Sequence, residues 1–106
     1  MNEAITSVIR VPADHPSLDG HFPGQPVVPA VVLLDAVLGA IQTRGFTLRA
    51  ILSAKFLHPV LPDQRLDLSV HFTAHEAQQL RASFQGSRAT TLVFQGTFIV
   101  SMRSGT

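Results

Sequence analysis

The chain contains no cysteine, which excludes disulfides, thiolate nucleophiles and cysteine-based metal sites together. Charge is scarce as well. Only 14% of the 106 residues are Asp, Glu, Lys or Arg, and the net charge of +1 comes without a basic run. Nothing therefore marks a nucleic-acid or polybasic membrane surface. The longest apolar stretch is interrupted by Asp35 and falls short of the roughly 20 residues that a bilayer requires. The start, Met1-Asn2-Glu3-Ala4-Ile5-Thr6, lacks the basic beginning and apolar core of a signal peptide, so a cytoplasmic location is expected. No linker, repeat or low-complexity segment divides the sequence, and its length suits one domain over residues 1–106. Against these absences stands an apolar fraction of 45%, high for so small a domain. It predicts an oligomer that hides part of its surface.

The informative segment is residues 20–43, which hold one histidine, His21, and one charged side chain, Asp35. Pro23, Pro26 and Pro29 recur every third residue, locking φ three times and predicting an extended, polyproline-like path. Pro29 then suits the first position of a helix, where a missing N–H costs nothing. The spacing predicts a helix from about Pro29 to Arg44, with Gly45 as its left-handed stop and Arg44 favourably placed in the last turn. At 1.5 Å per residue it would be roughly 24 Å long. Except at Asp35 this helix is apolar on every face, so it is expected to be buried, and a buried carboxylate needs a partner or a task.

Elsewhere the pattern has period two. Ile5, Ser7, Ile9 and Val11 alternate with Val8 and Arg10 in a first extended run. After Gly45, Leu48, Ala50, Leu52, Ala54 and Phe56 point one way. Leu66, Leu68, Val70, Phe72 and Ala74 oppose Arg65, Asp67, Ser69, His71 and Thr73. Leu80, Ala82 and Phe84 form a shorter run with a turn expected around Gly86-Ser87, and Leu92, Phe94, Gly96, Phe98 and Val100 form the last. These are half-buried, antiparallel strands broken by turns such as Leu61-Pro62-Asp63. A helix that is apolar all round cannot lie on an open sheet with its back in water. The expected fold class is therefore α+β, a hotdog fold: a curved antiparallel sheet wrapped around one central helix, with a partner subunit covering what remains.

His21, in a rigid Gly/Pro loop, has an unperturbed pKa near 6.5 and can remove a proton at neutral pH. Asp35 lies fourteen residues later in the helix, where burial would favour the protonated acid. The free N–H near Ala30, at the positive end of the helix dipole, can polarise a carbonyl oxygen. Together these parts suit a β-elimination. Read from the residues alone, His21 serves equally well as a turn residue, and Asp35 as the partner of a buried lysine or arginine.

The stretch Gly20-His21-Phe22-Pro23-Gly24-Gln25-Pro26-Val27-Val28-Pro29 closely resembles the signature of 3-hydroxyacyl-[acyl-carrier-protein] dehydratases of the hotdog superfamily. Ala54-Lys55-Phe56-Leu57-His58-Pro59-Val60-Leu61-Pro62-Asp63 looks like that family's second strand and following loop. The short length points to the small stand-alone dehydratase-like proteins of aryl-polyene and related polyketide-type pathways. The resemblance implies syn loss of water from a (3R)-hydroxyacyl thioester to give a trans-2-enoyl thioester. His21 would take the α-proton, Asp35 would protonate the departing hydroxyl, and the Ala30 amide would stabilise the enolate-like oxygen. It also implies that histidine and acid come from different subunits of a dimer. The substrate would arrive on the phosphopantetheine arm of an acyl carrier protein, with no metal or dissociable cofactor. Phe22, Phe56 and Leu57 are the candidates for lining the acyl tunnel. Three positions depart from the family pattern. Ala30 stands where the family has glycine. Asp35 follows the aspartate branch, whose members are longer. Gly39 replaces a glutamine that orients the acid, and Gln42 is nearly a turn further on.

Other candidates carry less. His71 and His75, on one strand, would stand about 13 Å apart, too far to share a metal. His58 reads as a structural loop residue, and Asp14-His15-Pro16 as a turn. Ser7, Ser17, Ser53 and Ser69 lack a nucleophile-elbow context. Arg44, Arg49, Lys55 and Arg65 read as solubility charges without a defined docking site. Two rivals to a homodimeric dehydratase remain. One is a hotdog acyl thioesterase in which Asp35 activates water. The other is a non-catalytic subunit that pairs with another hotdog protein in a heterodimer.

Overall fold

The computed structural model describes residues 4–15 and 27–102. Strand β1 (Ala4–Ile9) is followed by helix α1 (Ala30–Gln42), then β2 (Phe46–Phe56), β3 (Leu66–Ala74), β4 (Gln79–Arg88) and β5 (Thr91–Met102). The strands form one five-stranded sheet in the order β1-β3-β4-β5-β2, antiparallel at every pairing. With α1 packed on one face, this is the hotdog arrangement expected from the sequence.

Period-two patterning decides which face meets the helix. In β3, Leu66, Leu68, Val70 and Phe72 are buried while Asp67, His71 and Thr73 are exposed. Residues opposite one another share a face, so Val70, Phe84 and Gly96 form one inward row, and Phe72, Ala82 and Phe98 the next. Ring pairs tie the strands together. Phe46 stacks on Phe72 at 4.6 Å between centroids, and Phe84 lies 4.7 Å from Phe98.

Three local expectations are corrected. Gly86-Ser87 is not a turn. Strand β4 continues through it with a register shift, and the reversal comes at Ala89–Thr90, where Ala89 has φ 54°. Gly86 is needed for space instead: a Cβ there would collide with the Phe94 ring, and one on Gly96 with the Phe84 ring and the Ser53 carbonyl. Strand β2 does not alternate strictly either. Irregularities between Leu48 and Ala50 and between Ile51 and Ser53 leave Arg49 and Leu52 without partners in the ladder. Ile51 therefore shares the inner face with Phe98, while Ala50 pairs with Ile99 on the outer one. Finally, His75 lies beyond β3, in the turn to β4.

Helix α1 starts one residue later and ends two residues earlier than its sequence pattern predicts, so Arg44 lies beyond its last turn. Pro29 is the N-cap, extended at φ −62° and ψ 146°, and its carbonyl accepts from the Val32 and Leu33 N–H groups. At the far end the Thr43 hydroxyl donates to the Ala40 carbonyl, and Gly45 supplies the left-handed stop at φ 91°. Leu33, Val37 and Ile41, spaced i, i+4 and i+8, are buried in the core. The rest of the helix is not enclosed by this chain: Val31 is 70% exposed, and Asp35 is exposed as well. A single sheet covers one side of a helix, so apolarity on every face does not bring burial on every face within one chain.

The two kinds of glycine give a direct check. A Cβ on Gly39 would meet nothing within 4 Å, so Gly39→Ala should stabilise the fold by about 0.5–1 kcal/mol through helix propensity and unfolded-state entropy. Gly86→Ala must displace the Phe94 ring and should cost about 1–3 kcal/mol. Urea unfolding of both variants should move the midpoints in opposite directions.

Candidate active site

Four elements meet at the N-terminus of α1. The segment entering the helix is joined to the loop after β2 by a bond from the Val28 N–H to the Val60 carbonyl, 2.8 Å long. The loop is anchored to β5 where the Leu57 N–H donates to the Val93 carbonyl at 2.7 Å. Between them lies a cavity of about 240 Å³, lined by Val28, Ala30, Leu33, Phe56, Leu57 and Val60 among others. Its walls are mainly apolar, and Phe56 is braced by Phe94 with 6.0 Å between ring centroids.

The first turn of α1 brings backbone donors to the edge of this space. The N–H groups of Ala30 and Val31 have no acceptor among the described residues, as expected for the first turn of a helix. They carry the positive end of the helix dipole and suit an oxygen that gains negative charge.

The structure thus brings together three residues singled out in the sequence: Ala30, Phe56 and Leu57. His58, read from sequence as a structural loop residue, also lines the cavity and is exposed. The signal for it was the second family-like stretch, in which it follows Leu57. Val28, Leu33 and Val60 were missed because buried valine and leucine have no distinguishing chemistry in a sequence. His21 and Phe22 lie outside the described residues.

Asp35 does not join this cavity. Five residues beyond Ala30 it is rotated by about 140° around the helix, on the side that also carries Val31. The burial expected from sequence is absent in the single chain, where Asp35 is exposed, without a hydrogen-bond or ion-pair partner among the described residues. Nor do the described residues hold a group of three His, Asp or Glu side chains that could bind a metal ion. No helix among them is long and apolar enough to cross a membrane.

A five-stranded antiparallel sheet carrying one helix, whose first residue Ala30 lines an apolar cavity, defines a hotdog protein. Residues 1–97 match the ApeI-like family, described as ApeI dehydratase. The chain belongs to that family. It is also similar to the 3-hydroxyacyl-[acyl-carrier-protein] dehydratase FabZ of Ehrlichia chaffeensis, with 33% identity over 78 residues, 66% of this chain and 54% of that protein. The FabZ of Myxococcus xanthus is 26% identical over 112 residues, 94% of this chain and 73% of that one. The chain thus spans about half the length of the first of these relatives. Among solved structures, the dehydratase heterocomplex ApeI:P from Xenorhabdus doucetiae superimposes with a TM-score of 0.75 at 23% identity, covering 95% of this chain and 94% of that one. A fluoroacetyl-CoA-specific thioesterase matches with a TM-score of 0.72 at 11% identity over 94% and 91% of the two chains. Such structural likeness establishes the fold and does not separate elimination from hydrolysis.

The cavity wall can be tested by its stability. Phe56 is 37% exposed whereas Phe94 is fully enclosed. Phe94→Ala should therefore cost about 3–5 kcal/mol, and Phe56→Ala roughly 1–2 kcal/mol, in urea unfolding. Equal losses would mean that Phe56 belongs to the core and not to the wall of an open cleft.

Proposed function

We propose that the protein is a (3R)-hydroxyacyl-[acyl-carrier-protein] dehydratase, acting on a thioester that enters the cavity at the N-terminus of α1. The observation that carries this reading is the Ala30 amide, which has no acceptor among the described residues and belongs to a residue lining an apolar cavity, in a chain of the ApeI-like dehydratase family that also contains the histidine signature. His21 removes the proton from the α-carbon, and the electron pair moves into the bond toward the carbonyl. The Ala30 N–H stabilises the enolate-like oxygen. Asp35 then gives a proton to the β-hydroxyl, which leaves as water as the α,β double bond forms. The Ala30 methyl leaves this donor in place, because the amide belongs to the backbone.

In this reading the site is shared between two subunits. Asp35 faces away from its own chain's cavity and is free to serve the partner's. The edge strand β2 supports the same arrangement. From Arg49 to Phe56 every residue is exposed, including Ile51 at 53% and Leu52 at 50%. Its outer edge lacks a neighbouring strand among the described residues. A long apolar edge of this kind is an aggregation hazard unless it is paired. Pairing with a second copy extends the sheet and covers the apolar side chains. A heterodimer with another hotdog protein is the alternative, and the ApeI:P heterocomplex sets that precedent for a similar fold. The acyl carrier protein is the expected donor of substrate, on a phosphopantetheine arm.

The test is intact-mass loss of water from 3-hydroxyacyl-carrier-protein incubated with the purified chain. His21→Ala and Asp35→Asn should each lower turnover by about 10²–10⁴-fold, the range for a lost general acid or base. Randomly mixed subunits of these two variants should recover about a quarter of wild-type activity, because half the dimers are mixed and each has one intact site. Release of free thiol in place of water loss would identify a thioesterase instead. Activity only after addition of another hotdog subunit would establish the heterodimer.

A further inference from the structure

The loop that forms one wall of the cavity is secured mostly by backbone hydrogen bonds, to which two side chains add, the neutral Gln64 and the charged Arg88. The Leu57 and His58 N–H groups donate to the Val93 carbonyl, the Val60 carbonyl accepts from Val28, and the Asp63 N–H donates to the Val11 carbonyl. Arg88, at the end of β4, reaches back across the sequence to this loop. Its Nη1 donates to the Pro59 carbonyl at 3.2 Å and to the Gln64 Oε1 at 2.9 Å. The same Gln64 oxygen accepts from the Leu61 N–H at 3.0 Å. Because both partners of that oxygen are donors, the orientation of the amide is fixed. No carboxylate pairs with Arg88 among the described residues. Its charge is spent on two neutral oxygens of one loop, and charge-assisted bonds of this kind are stronger than neutral ones.

The position of this clamp matters. Pro59 and Val60 line the cavity, and the Val60 carbonyl is bonded to Val28, two residues before Ala30. Arg88 therefore bears on the wall that faces the first turn of α1 without lining the cavity itself. We propose that Arg88, acting through Gln64 and the Pro59 carbonyl, is a positioning residue that holds the residue 57–60 wall against the N-terminus of α1. It thereby sets how the acyl thioester is seated. This rests on the proposed dehydratase function.

Arg88→Ala should raise KM for the acyl thioester by about five- to tenfold while kcat stays within about twofold, since neither His21 nor Asp35 is touched. Gln64→Ala should change KM in the same direction. Gln64→Glu keeps an oxygen for both Leu61 and Arg88 and should retain a KM close to wild type. Combined, Arg88→Ala and Gln64→Ala should raise KM by less than the product of the single effects, because they remove one shared contact. Hydrogen exchange gives a readout independent of activity. In Arg88→Ala the Val28 and Leu61 amides should exchange about tenfold faster or more, with the β3 amides unchanged. Unchanged KM together with unchanged exchange at Val28 and Leu61 would overturn the proposal. So would a uniform rise in exchange across the sheet, which would make Arg88 a general stabiliser. Should Arg88→Ala not fold, the Gln64 pair of variants decides by the same two measurements. Absence of water loss in the wild-type protein would instead remove the functional reading, leaving exchange to decide whether the clamp holds the loop.

Discussion

Leu33, Val37 and Ile41 occupy one stripe of α1 and are almost wholly excluded from water by the inner face of the sheet. This contact sets the rotation of the helix about its axis, and the consequences for the site follow from that rotation. With Leu33 turned inward, Ala30 faces the loop after β2, while Val31 and Asp35 are carried to the uncovered side. Each buried aliphatic side chain contributes about 1.5–3 kcal/mol, so another rotation would forfeit the stripe before it gained anything. The placement of the acid is a by-product of core packing.

The sheet shows how packing overrides simple alternation. Two large rings, Phe84 and Phe94, lie over Gly96 and Gly86 on neighbouring strands, which exchanges backbone freedom at two positions for close packing across the strands. In β2 the two irregular positions arise in an edge strand, where a distorted ladder disturbs only one neighbour. They change which residues of β2 share a face with Phe98 and leave Ile51 and Leu52 in solvent. The edge that results is long and apolar, and a partner subunit is the simplest way to relieve it.

The loop from Leu57 to Gln64 links these two regions. It begins where β2 ends, is pinned to β5 by backbone bonds and to β4 by Arg88, and closes against the segment that enters α1. A cavity between a helix N-terminus and such a loop combines an electropositive end with apolar walls. A thioester with an acyl chain requires both, a polarisable carbonyl at one point and hydrocarbon contact beyond it.

Much of this was legible in the residues. Period-two runs located the strands after Gly45, Pro29 and Gly45 bracketed α1, and the absence of charge around Asp35 singled out that residue. The turn at Ala77–Gln78, with φ of 53° and 64°, was not legible, because neither residue is one that favours a left-handed backbone. Nor was the role of Gly86 as space for a ring, since a glycine in a strand reads the same whether it bends the chain or admits a neighbour. The sequence by itself determined which segments become helix and strand, because hydrophobic period and turn chemistry act over a few residues. Only the tertiary structure decided that Ala30 shares a cavity with Phe56 and Leu57, that Arg88 grips the loop beside it, and that Asp35 turns outward. Those relations join residues far apart in the chain, and they are set by how one helix settles on one sheet.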